Sequence, residues 1–150
     1  MDKCSKVAAL YVAALKGIYL IEQHCHWTTQ GDDFYGDHLM FQRLYESAQE
    51  DVDAAAEKFI GLFGVECMDY ATQADLLHKV LLKYEDIEEP IKKCLAVEME
   101  FCKFSKAAYD CFEKEGTMTL GLDDLIMSIA SKREESLYLL RQAQGEGTSD

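Results

Sequence analysis

A single proline, Pro90, and nine glycines are the only strong breakers in 150 residues. A β-sandwich or barrel needs a turn roughly every 8–12 residues, more than this supply can furnish, whereas long helices need few. The apolar spacing agrees. From Ser5, read as an N-cap, Val7, Tyr11, Ala14, Ile18, Ile21 and Cys25 recur in steps of three and four until Gly31. A second long helix is expected from about Asp33 to Gly64, with Phe34, Phe41, Tyr45, Ala48, Val52, Ala55, Phe59 and Leu62 on one stripe. Thr72, with Asp75 three residues on, reads as the cap of a short helix through about Tyr84. Glu88, Glu89 and Pro90 open a third long helix to about Glu115. Past a glycine-bounded connector, Asp123 and Asp124 open a fourth, carrying Leu125, Ile129, Leu137 and Leu140 to about Ala143, with the tail QGEGTSD expected to fray. The expectation is one all-α domain over residues 1–150: a four-helix bundle with a short extra helix between its second and third long helices.

Charge and cysteine usage bound the partners. Hydrophobic residues make up 49% of the chain, enough for a buried core at this length. Lys and Arg total 15 against 28 Asp and Glu, a formal net charge of −13, which would repel nucleic-acid phosphates before contact. DNA binding is therefore not expected. No uninterrupted apolar run approaches the ~18 residues of a membrane span, and the opening MDKCSK lacks the form of a signal peptide. We expect a soluble, cytoplasmic protein with no membrane partner. The six cysteines contain no CxxC pair and several fall in apolar helical contexts, so they read as reduced packing residues rather than disulfides or zinc ligands.

The second helix also carries a polar stripe, His38, Gln42, Glu46, Gln49, Asp53 and Glu57. Such a stripe is ordinarily a solvated face. Histidines add a second reading. His26 lies near the end of the first helix and His38 near the start of the second, so an antiparallel hairpin brings both imidazoles to one end of the bundle. Imidazole suits iron or zinc, and carboxylates complete a harder site. His38 and Asp53, fifteen residues apart, are separated by roughly 22 Å along a helix, too far to share one ion. One chain cannot close such a site. Two copies of the second helix packed antiparallel about a two-fold axis would set Asp53 and Glu57 of one against His26 and His38 of the other. A satisfied core histidine or a rim ion pair accounts for the same residues equally simply.

The stretch His26-Trp27, Gly31, Phe34, His38, Asp53, Ala56-Glu57 resembles the signature of the Dps mini-ferritins, H-W-x4-G-x2-F-x3-H followed fifteen residues on by D-x2-A-E, without a gap. A weaker similarity extends from about Val7 to Arg141, through Asp124-Leu125, Glu134, Tyr138 and Leu140-Arg141 in the last helix. The resemblance implies a ferritin-like bundle assembled into a dodecameric cage. Ferrous iron would bind at dimer interfaces, be oxidised by hydrogen peroxide or dioxygen, and be stored as ferric mineral, giving protection against oxidative damage. It implies His26 and His38 as metal ligands and catalytic residues from one subunit, and Asp53 and Glu57 from its two-fold mate. Trp27 would lie beside the site, and equally serves as a large hydrophobe at a subunit contact.

One position departs from the pattern. Four residues after the second histidine the family usually has a carboxylate, and here Gln42 stands, a neutral oxygen donor that offsets no ferrous charge. Binding of a second iron is thereby weakened in expectation. Glu46, a further turn along, would act only around the primary ligands. Glu22, His24 and Cys25 flank His26, but at most one could share its direction. Asp75 and His78 read as a surface pair. Asp123 and Asp124 are candidates for pores through which iron enters, and equally natural as helix-dipole residues. Against the ferroxidase stands a cage with lost or weakened activity, acting as a structural or DNA-associated protein. The termini argue against DNA: Lys3 and Lys6 are accompanied by Asp2 at one end, and Glu146 and Asp150 occupy the other.

Overall fold

The computed structural model describes residues 1–145; of the tail expected to fray, Gln144 is still helical, and the rest from Glu146 onward, with the acidic C-terminal end used in the DNA argument, lies outside the described residues. Every regular element among the described residues is helical: α1 (Lys3–Thr28), α2 (Phe34–Phe63), a 3₁₀ turn (Val65–Met68), α3 (Tyr70–Leu82), α4 (Pro90–Lys114) and α5 (Leu120–Gln144). The all-α bundle with its short extra helix is as expected. Three starts differ, each because a nearer capping side chain exists. Asp2, not Ser5, caps α1, accepting from the Ser5 amide at 2.8 Å. Asp69, not Thr72, caps α3 and takes both the Thr72 amide and its hydroxyl at 2.9 Å. Thr119 caps α5, so Asp123 falls inside the first turn, where it accepts from the Tyr109 hydroxyl at 3.1 Å. The 3₁₀ turn was not expected; it follows Gly64, whose φ of 96° only glycine adopts freely.

By length and hydropathy α1 could cross a membrane. Here it is the central core helix instead: Ala8, Tyr11, Val12, Leu15 and Ile18 are fully buried, with Tyr11 set edge-on against Phe59 and Phe101. Gly17 admits α3 against it, since a Cβ there would meet Val80 Cγ1 at 2.7 Å. The buried stripe of α2 is Phe41, Leu44, Ala48, Asp51, Ala55 and Phe59. It is rotated from the expected one, leaving Tyr45 and Val52 half-buried and Phe34 and Leu62 exposed.

Each long helix places one charged residue on its buried stripe, and the four meet. Arg133 of α5, fully buried, donates Nη1 to both carboxylate oxygens of Glu98 of α4 at 3.1 and 3.2 Å. Its Nη2 donates to Ser47 Oγ at 2.8 Å, and its Nε lies 3.5 Å from Asp51 of α2. Lys132 closes on Asp51 at 3.0 Å. Glu22 of α1 is also fully buried, yet neither carboxylate oxygen has a hydrogen-bond partner among the described residues. Burial, then the charge of Glu98, holds the Glu22 carboxyl well above its ordinary range. Burial pushes Glu98 up to about 7 despite Arg133. Three acids face two bases, so a proton on Glu22 makes the cluster neutral.

Two outcomes follow. Arg133→Met should cost about 3–5 kcal/mol in a denaturant titration, because it strands Glu98 uncompensated in the core and leaves Asp51 with Lys132 alone. An acid held above its unfolded-state value stabilises the fold below that value and loses this contribution as pH rises. Stability should therefore decline from pH 4.5 towards about 7. Glu22→Gln, which cannot ionise, should flatten that decline in thermal melts across the window.

Candidate metal centre

α1 ends at Thr28 with its last carbonyls unclaimed by the helix, and α2 begins at Phe34. The two helices return on one another, and the histidines at their joined ends bind reciprocally. His26 Nδ1 meets the His38 carbonyl at 2.7 Å, and His38 Nδ1 meets the His26 carbonyl at 2.8 Å. A carbonyl only accepts, so each Nδ1 carries the proton. In the neutral rings both Nε2 atoms are then left with lone pairs, the state a metal ligand requires. The rings stack at 3.8 Å with 14° between planes. Phe34 continues the stack on His38 at 5.0 Å, and Tyr45 packs edge-on to His26 at 5.3 Å. His26 is 9% exposed and His38 half-buried, so the pair opens to the surface along one side. Trp27 and Tyr35, next in sequence to His26 and Phe34, are 66% and 72% exposed.

Gln42 stands one turn beyond His38 and donates Nε2 to Glu46 Oε1 at 3.0 Å. Glu46 is therefore tied to Gln42, and the amide oxygen is the atom Gln42 has left to offer. Asp53 and Glu57 are exposed on α2, roughly 22 and 28 Å from His38 by helix rise. Asp53 borders an open groove of about 600 Å³ with Lys16, Tyr19, Gln49 and Leu77. The chain thus brings His26 and His38 together and does not bring Asp53 or Glu57 to them. Among the described residues no three His, Cys, Asp or Glu side chains converge as metal ligands.

The flanking candidates separate cleanly. Glu22 and Cys25 turn into the core, while His24 is exposed. Asp75 pairs with Lys79 at 3.2 Å rather than with His78. Sequence reasoning missed the core cluster. Its signal was present, since Glu22, Asp51, Glu98 and Arg133 each fall at steps of three or four on an apolar stripe.

No protein-family model and no curated protein matches the sequence. Solved structures do match the fold. The Dps of Thermosynechococcus elongatus superposes with a TM-score of 0.80 over 99% of this chain and 95% of its own, at 20% identity. The Dps of Microbacterium arborescens in its high iron form gives 0.75 over 95% and 93%, at 16% identity. That of Vibrio cholerae, from a superfamily of ferritin-like diiron-carboxylate proteins, gives 0.76 over 95% and 89%, at 15% identity. The chain has the Dps fold. The ferritin-like bundle expected from the sequence is therefore the observed one, with α3 as its short extra helix.

The reciprocal bonds fix a checkable tautomer. Long-range proton–nitrogen correlation spectra, recorded with both imidazoles neutral, should show His26 and His38 protonated at Nδ1. An Nε2–H on either ring would break the geometry above.

Proposed function

We propose that this protein is a cytoplasmic mini-ferritin, a homo-oligomer that oxidises ferrous iron at sites shared between two copies and stores the ferric product inside a cage. The observation that carries the reading is the reciprocal histidine pair, which commits both Nδ1 atoms to carbonyls and leaves both Nε2 atoms for a ligand, on a chain of Dps fold. By the resemblance the assembly is a dodecamer. Six free cysteines accord with a reducing compartment. The net charge of −13 opposes a DNA-associated role.

Ferrous iron is the substrate. His26 and His38 would bind it from one copy, and Asp53 and Glu57 from the two-fold mate, with Trp27 and Tyr35 covered in the contact. Imidazole with carboxylate is a donor set suited to iron, and the carboxylates supply the charge that favours the ferric product. Two ferrous ions release one electron each to one hydrogen peroxide. Its O–O bond breaks, and with two protons its oxygens leave as two waters. Ferrous iron and peroxide are consumed together, so neither remains to generate hydroxyl radical.

A second reading, a cage with weakened ferroxidase activity, is favoured by one observation: Gln42 stands where a carboxylate is usual and spends its amide on Glu46. Stopped-flow ferrous oxidation with peroxide and with dioxygen separates the two, since the weakened cage would be slow with both oxidants. His26→Ala with His38→Ala should preserve the oligomer and slow oxidation by at least about tenfold, given that losing even the groups around a metal's ligands costs roughly 10–100-fold. Full activity in that double variant, or a monomer by light scattering, would overturn the shared site. Mixing the histidine variant with Glu57→Ala should restore part of the rate in mixed dimers. Gln42→Asp should tighten a second ferrous ion in anaerobic titration, because a carboxylate attracts the cation more strongly than an amide oxygen.

A further inference from the structure

Two of the six cysteines meet. Cys25, in the last turn of α1, and Cys94, in the second turn of α4, are 2% and 0% exposed. Cys94 Sγ donates to Cys25 Sγ across 3.6 Å, joining residues 69 apart in the chain, and Cys25 Sγ donates onward to the Pro90 carbonyl at 3.9 Å. Cys4, by contrast, bonds the Thr117 hydroxyl at 3.4 Å. A disulfide needs sulfurs at ~2.05 Å, so the Cys25–Cys94 pair must close by only about 1.5 Å, within reach of side-chain rotation and small helix shifts. Pro90 borders a polar cleft of about 390 Å³ that also takes in Thr28, Asp37 and Glu89. Pro90 thus links the two features: it lines the cleft, and its carbonyl is the group that Cys25 Sγ contacts.

We propose that Cys25 and Cys94 form a two-electron redox pair that reacts with hydrogen peroxide to give an intramolecular disulfide. One sulfur attacks a peroxide oxygen; the S–O bond forms, the O–O bond breaks, and water leaves, giving a sulfenic acid. The second sulfur then attacks the first; the S–S bond forms, the S–O bond breaks, and the oxygen departs as a second water with the remaining thiol proton. The sulfurs lose two electrons and the peroxide gains them, so iron takes no part. The product ties α1 to α4 beside His26. This activity does not depend on the iron reading.

The test uses the whole protein with a chelator present and no iron. After peroxide treatment, free thiols are alkylated under denaturing conditions and peptides are mapped without reductant. The expected result is joint loss of Cys25 and Cys94, a linked peptide containing both, and an intact mass lower by two hydrogens that dithiothreitol reverses. Cys94→Ala should remove the link and leave Cys25 as a sulfenic acid captured by dimedone, with circular dichroism verifying that the helices persist. If Cys94→Ala does not fold, the wild-type map alone decides. Recovery of both cysteines alkylated after half-buried Cys102 and Cys111 have been oxidised, or a link to any other cysteine, would overturn the proposal.

Discussion

The fork of Arg133 sets the register of the bundle. One planar group reaches Glu98, Ser47 and Asp51 at once, while Glu22 lies against the same centre from α1. Hydrophobic stripes tolerate a slide of one turn, because one apolar contact replaces another. A buried guanidinium does not, since each slipped register leaves a charge without its partner. The proton that Glu22 retains lets the centre be buried and neutral together. The α1–α2 hairpin is anchored by this core, and with it the meeting point of the two histidines.

That meeting point shows how a short sequence distance becomes chemistry. His26 and His38 are twelve residues apart, and the turn between the helices folds them face to face. The helix-end carbonyl of His26 needs a donor, and the His38 ring supplies one. The His38 carbonyl accepts the His26 ring in return. Asp53 and Glu57 belong to the same exposed strip of α2, but the rigidity of a 30-residue helix keeps them at a distance. The separation of the four residues is a property of helix rise, and no side-chain rotation overcomes it.

Much of this was legible in the sequence. Scarcity of breakers and steps of three and four gave the helices, and the His–Trp and Asp–Ala–Glu stretches gave the Dps resemblance that the superpositions match in fold. The starts of α1, α3 and α5 were misplaced because several acceptors compete for one helix end, and Asp2, Asp69 and Thr119 prevail through local geometry. The buried charges were harder. Glu98 and Arg133 lie on their stripes, but periodicity cannot say that four such residues fall at one height in the bundle. The Cys25–Cys94 contact has the same origin, a coincidence of height between α1 and α4.

The doubled histidine bond makes the hairpin end cooperative. Each ring is oriented by the main chain of the other residue, so neither can turn away without releasing its neighbour. Fraying of the last turn of α1 would remove one ring and, in the same motion, the carbonyl that holds the other. Occupancy by an ion at the two Nε2 atoms would work in the opposite direction, clamping both helix ends through the rings. On the proposed function, loading and hairpin closure would be one equilibrium, and the end of the bundle that received iron would also be the end that iron stiffened.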